Sequence, residues 1–219
     1  MQTFDDLKAK QRRLRDGFPE ALGLRVHRAL SWLARAEQER ARGDRDGEFI
    51  FLWIAFNAAY AGEQTESEQP SERSAYIDYF QSLVSVDSSW VIHDALWSKF
   101  SGPIRSLLAN RYIYGPFWRA KNNPTGGINW EPGFEASKRS ALAALGRTDV
   151  RAILEIVFDR LYVLRNQIIH GGATWSSSVN RDQIIDGANI MGFLVPTFID
   201  LMMDNPGLDW GRPYYPVVE

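Results

Sequence analysis

An all-α fold is what this sequence predicts, and three observations predict it. Across residues 149–169 the apolar side chains Leu154, Val157, Leu161, Leu164 and Ile168 recur every three or four positions, which draws one stripe along a helix. Residues 48–61 are apolar on nearly every side, as a helix at the centre of a core is. Gly43 and the pair Gly171-Gly172 follow amphipathic segments, at the point where a left-handed residue ends a helix. A length of 219 residues, 45% hydrophobic and 24% charged, is ample for one domain with its own core. The expectation is a single domain over 1–219, a helical bundle in which residues 62–148 form an inserted helical and loop region between core helices.

The elements follow in order. Residues 7–15 are basic and read as a helix that ends near Gly17-Phe18-Pro19. Residues 24–42 set Leu24, Leu30, Leu33 and Ala34 among charged side chains, a second amphipathic helix that Gly43 stops. Asp46 is placed to cap the third helix, 48–61, whose one polar interruption is Asn57. A buried amide needs hydrogen-bond partners, so Asn57 either ties down a neighbouring helix or faces a functional groove. After the polar stretch 63–69, Pro70 fits the first turn of a helix running through Tyr76, Tyr79, Phe80 and Leu83. A further helix carries Trp90, Ile92, Leu96, Trp97 and Phe100, breaks at Gly102-Pro103 and resumes through Ile104, Leu107 and Leu108. Residues 111–132, with turn signals at Gly115-Pro116, Asn123-Pro124, Gly126-Gly127 and Glu131-Pro132, read as a long structured loop. Beyond the 149–169 helix, Asn180 with Gln183 fits a capping pattern for the last long helix, which Gly187, Gly192 and Pro196 weaken or bend. The tail, with Pro206, Pro213 and Pro216, is expected to be extended.

Charge is distributed unevenly behind a net −2. Residues 62–96 hold seven acids and one base, residues 97–151 nine bases and three acids. Either the second block draws a polyanion or the two blocks pair with each other. Within it, Arg111, Arg119 and Lys121 alternate with Tyr112, Tyr114, Phe117, Trp118 and Trp130, the components of a surface for single-stranded nucleic acid. Arg119 and Lys121 are the groups expected to hold phosphate, whereas the rings are expected to fill a core beneath the loop.

Several chemistries are excluded by what is missing. There is no cysteine, hence no disulfide and no thiolate metal site, which fits a reducing compartment. His27, His93 and His170 lie far apart with no zinc-ligand spacing, and no glycine-rich phosphate loop is present, so neither metal nor cofactor is expected. The first residues carry no signal pattern, and no apolar run approaches the roughly 20 residues that cross a bilayer, so a cytoplasmic protein without a membrane is expected.

The densest chemistry is Arg165-Asn166-Gln167-Ile168-Ile169-His170, closed by Gly171-Gly172. At about 100° per residue, Arg165 falls on the flank of the apolar stripe, four residues from Leu161 and Ile169, where a charge needs a partner. Asn166 and His170 stand one turn apart on the more polar side, in line with Asp159 and near Glu155. The three do not point in one direction on an ideal helix and converge only around a groove. Each has a local reading: the cation complements the helix dipole, the amide or imidazole caps carbonyls, and glycine ends the helix. Together, a permanent cation, an amide and an imidazole able to titrate near neutral pH are also the tools for cleaving a phosphodiester without a metal.

The pattern Arg-Asn-x-x-x-His resembles the signature of the HEPN superfamily, small α-helical proteins that are often ribonucleases. The run from Leu52 to Tyr60 looks like the helix that precedes the motif helix in HEPN subfamilies near the ApeA-like group. The resemblance implies a HEPN-like bundle that forms a homodimer, with one motif per protomer around a shared groove. It further implies a metal-independent endoribonuclease in which the RNA 2′-hydroxyl attacks, Arg165 holds the phosphate, His170 moves protons, and Asn166 orients the imidazole or bonds the phosphate. The products would be a 2′,3′-cyclic phosphate and a 5′-hydroxyl. Asn57, Arg119, Lys121, Gly171 and Gly172 are the accompanying candidates for RNA contact. Such proteins serve as toxins or in anti-phage defence, so an antitoxin protein is a partner that the resemblance allows. The alternative is a non-catalytic HEPN-like module that dimerises, binds RNA or senses a ligand.

Overall fold

The computed structural model describes residues 2–62, 72–215 and 217. Among them the chain is all-α, with ten helices, one isolated β-bridge and no strand. It divides into two compact units, Met1–Ile92 with Ala188–Glu219, and His93–Gly187.

The first unit begins with α1 (Phe4–Leu14), which opens on a reciprocal cap: the Thr3 side chain accepts from Asp6 N–H while the Asp6 carboxylate accepts from Thr3 N–H. Helix α2 (Glu20–Arg42) ends at Gly43, whose φ of 77° lets the N–H groups of Gly43 and Asp44 return to the carbonyls of Arg40 and Glu39. Asp44, rather than the expected Asp46, caps α3 (Arg45–Tyr60), accepting from Gly47 N–H at 2.9 Å. The left-handed residue reverses the chain so sharply that the next helix starts at once, and Asp46 lies buried in its first turn. Pro70 lies outside the described residues; α4 covers Glu72–Val86.

Aromatic rings fill the centre of this unit. Phe56 on α3 lies 6.0 Å from Phe80 and 6.1 Å from Tyr79 on α4, and 6.3 Å from Phe198 on α10 (Arg181–Asp204). All four are buried, which is why residues 48–61 are apolar all round. Contrary to expectation, α10 is long and apolar enough to cross a bilayer by length and composition. Single polar residues such as Asn189 and Thr197 interrupt the run, yet its most apolar 18-residue window keeps a mean hydropathy of 1.4, and 67% of that window is buried within the protein.

Helix α10 continues through Pro196. Its Gly192 serves packing: a Cβ there would collide with Nη2 of Arg40, whose Nε donates to one oxygen of the buried Glu48 carboxylate at 2.6 Å while Arg45 forms an ion pair with the other at 2.6 Å. Gly192→Ala is therefore expected to destabilise the protein by about 1–3 kcal/mol through overpacking. The urea midpoint reads this directly, and an unchanged midpoint would mean that Arg40 retreats without cost.

The carboxyl-terminal tail is held rather than loose. Arg25 is 1% exposed, and its guanidinium donates to the carbonyls of Ala59, Ala61, Gly211 and Arg212 at 2.9–3.0 Å. Beside this clamp Gly62 forms an antiparallel bridge with Pro213, and Tyr214 N–H donates to Ala61. Burial pushes the Arg25 pKa down to about 10, which leaves it a cation at neutral pH.

In the second unit, the end of α5 (Val91–Asp94) runs into a π-helical turn, Ala95–Lys99. The break falls at Phe100, whose N–H reaches back to Ala95 at 2.9 Å, and Gly102-Pro103 lie inside the first turn of α6 (Ser101–Ala109) instead of interrupting it. The expected loop over 111–132 is mostly helical: a 3-10 turn at Arg111–Ile113, α7 (Gly115–Asn122), another at Pro124–Gly126, and the start of α8 (Glu131–Gly146). Pro116, Pro124 and Pro132 each occupy the first positions of a helical segment, where the missing N–H leaves no bond unmade. Helix α9 (Val150–Ile169) follows, capped by Asp149 accepting from Ala152 N–H at 3.0 Å. This unit carries twelve Lys and Arg against eight Asp and Glu, whereas the first carries thirteen against nineteen.

Candidate active site at the end of α9

The buried stripe of α9 runs from Val150 to Leu164; Ile168 is half-buried and Ile169 exposed. The motif thus begins where the helix leaves the core. Arg165 Nη1 donates to Asn166 Oδ1 at 2.8 Å, and its guanidinium carbon lies 5.9 Å from the Tyr162 ring centroid. The partner of this cation is a neighbouring amide rather than a carboxylate, and its Nε is buried without a hydrogen bond. His170 ends the helix with its backbone, N–H to Asn166 carbonyl at 3.0 Å, while its exposed ring makes no side-chain hydrogen bond or ion pair among the described residues.

Gly171 and Gly172 hold this end in place. Gly171 has φ 70°, and the N–H groups of Gly171 and Gly172 return to Ile168 at 3.1 Å and Gln167 at 2.7 Å, the paired bonds of a left-handed stop. A Cβ on Gly172 would come within 3.0 Å of the Gln167 carbonyl. Both glycines are explained by the turn itself.

The structure brings Arg165 and Asn166 into contact and leaves His170 solvent-facing at the same helix end. Asn57 belongs to the first unit; it is half-buried on α3, and its Oδ1 is buried with no hydrogen bond, so that oxygen ties down no neighbouring helix. Arg119 and Lys121 are exposed on α7, and neither meets a carboxylate among the described residues. The rings around them depart from expectation. Phe117 is buried as a core residue, but Tyr112 and Trp118 remain 43% and 37% exposed.

Two polar features escaped prediction. Gln167, a spacer in the motif, donates to the Tyr112 carbonyl, which also accepts Trp118 Nε1 at 2.7 Å, and accepts from Asn180 Nδ2 at 2.7 Å. Asn180 does not cap α10 through Gln183 as its sequence pattern suggests: it sits at φ 53°, and its side chain is taken by Gln167 and, at 3.5 Å, Asn110. The second feature is Arg160, 2% exposed, which lies 4.4 Å from the Tyr114 ring and 5.3 Å from Phe134 and donates to Ser137 Oγ at 3.2 Å. Burial pushes its pKa down to about 10. Its position beside Leu161 on the stripe was the only signal available. Asp186 on α10 is half-buried, and burial, followed by the Asp182 charge, pushes its carboxyl above the usual range.

The arrangement can do two things chemically. The Arg165 guanidinium has donors beyond the one given to Asn166 and can take a phosphate oxygen, and the unengaged imidazole of His170 can accept and return a proton. Among the described residues no three His, Asp or Glu side chains gather as a metal site. No protein-family model, no curated protein and no solved structure matches the chain.

Proposed function

We propose that this chain is a metal-independent endoribonuclease of HEPN type, working as a cytoplasmic homodimer in which each protomer contributes Arg165, Asn166 and His170. The observation that carries the reading is the division of labour at the end of α9. Backbone N–H groups and Gly171 do the capping, so the imidazole is left free of structural duty while Asn166 holds the guanidinium beside it in sequence. A purely local role would engage that ring with the helix carbonyls.

In this reading Arg165 binds the phosphate and stabilises the charge that builds on its oxygens. His170 takes the 2′-hydroxyl proton or supplies one to the leaving 5′-oxygen; with two motifs in the dimer, one imidazole can serve each end. The excess of cations in the second unit supports an anionic substrate. A role as toxin or defence protein, with an antitoxin partner, belongs to the same proposal.

The test is product chemistry. Purified protein incubated with RNA in excess chelator is expected to leave 2′,3′-cyclic phosphate and 5′-hydroxyl ends. Intact RNA together with salt-sensitive RNA binding would replace the enzyme by the non-catalytic RNA-binding module, and cleavage that requires added metal would overturn the mechanism.

A further inference from the structure

We infer that Trp118 and the Tyr112–Arg111 pair form a stacking platform for single-stranded RNA, with Arg119 and Lys121 holding its phosphates, and that this platform leads the strand to the end of α9. The choice of RNA rests on the function proposed above; the platform rests on its own geometry.

The stretch of chain that carries these rings has charges of one sign only. From residue 95 to residue 130 there is no Asp or Glu, while Lys99, Arg105, Arg111, Arg119 and Lys121 all fall in that span. A run of one sign favours attraction to a polyanion, and Arg119 and Lys121 meet no carboxylate among the described residues.

Its rings are fixed and yet reachable. Tyr112 and Trp118 each stand edge-on to the buried Phe117, at 5.4 Å and 89° and at 5.2 Å and 87°. The Trp118 indole N–H is bonded to the Tyr112 carbonyl, so the larger ring is held in one orientation while more than a third of it stays open to solvent. Held rings lose little freedom when a base stacks on them. The Arg111 guanidinium lies 5.0 Å from the Tyr112 ring centroid and donates to its hydroxyl at 3.0 Å, which adds a planar cation to the platform. Bases stack on such guanidinium planes as they do on rings. A duplex keeps its base faces inside its own stack, so only an unpaired strand can use these surfaces.

The platform is also tied to the motif. The carbonyl that receives Trp118 receives Gln167 as well, and Gln167 follows Asn166 directly. A strand lying on Trp118 is thus one hydrogen-bonded step from the residues proposed to cut it.

The experiment measures binding without cleavage, in full-length protein carrying His170→Ala, by fluorescence anisotropy of a labelled, unstructured RNA of roughly 15 nucleotides and of its perfect duplex. Single strand is expected to bind about tenfold or more tighter than duplex. Trp118→Leu, which keeps an apolar contact on Phe117 but has no π-face, should lose about tenfold or more for single strand, and Trp118→Phe should lose clearly less. Arg119→Ala with Lys121→Ala should flatten the dependence of log affinity on log salt by about 1.4. Equal binding of single strand and duplex, or wild-type affinity in Trp118→Leu, would overturn the inference; should Trp118→Leu fail to fold by circular dichroism, the strand preference and the salt slope decide. These results separate from cleavage: a protein that binds in this pattern but cuts nothing retains the platform and loses the nuclease, and one that cuts duplex and single strand alike does the opposite.

Discussion

His170→Ala is expected to lower RNA cleavage by about two to four orders of magnitude, the usual worth of positioned proton transfer, while leaving the fold intact. The separation of the two effects follows from the geometry. The helix stop at this point is made by the His170 backbone and Gly171, neither of which needs the imidazole, so stability should change by no more than about 0.5 kcal/mol. Arg165→Ala should lose cleavage to a similar degree but also some stability, because it removes the bond to Asn166 and the contact with Tyr162. Arg165→Lys keeps the charge without the two-pronged geometry and should fall between. Initial rates in excess chelator, set beside thermal melting of each variant, read both quantities. If His170→Ala cuts at close to the wild-type rate, the imidazole is not the proton carrier.

Arg25→Met is expected to destabilise the protein by about 3–5 kcal/mol. Methionine fills much of the same space, but four carbonyls lose a charged donor at once, two at the end of α3 and two in the tail. Hydrogen bonds to a charged group are worth about 1.5–3 kcal/mol each and do not add fully, which sets the range. Arg25→Lys retains the charge but not the fork that reaches both segments, so it should rank between wild type and Met. Urea denaturation gives the ranking, and limited proteolysis should cut the tail near residues 211–215 in Arg25→Met before it cuts the wild type. A loss below about 1 kcal/mol would show that water replaces the guanidinium at these carbonyls.

Much of the candidate site was legible because its signals are local. The stripe through Leu161 and Leu164 located α9, and Gly171 located its end to the residue, since both follow from contacts within one or two helical turns. Prolines were misleading for an equally local reason: a turn and the first turn of a helix both accept a fixed φ and a missing N–H, so Pro116, Pro124 and Pro132 could mark either. Asn180 carried a capping pattern, but the same amide serves a left-handed corner, which is what it occupies.

The sequence by itself determined the all-α class, the position of the motif on the last turn of a long helix, and the separation of charge along the chain, because periodicity, caps and charge counts are properties of neighbouring residues. Only the tertiary structure decided which groups remain free to act. Whether Trp118 is core or surface, whether Gln167 is a spacer or a tie to Tyr112, and whether Arg25 is a solvated cation or a clamp on residues more than 180 positions away each depend on partners distant in the chain. Such contacts leave no period in the sequence, since a side chain's burial is set by what packs against it rather than by what precedes it.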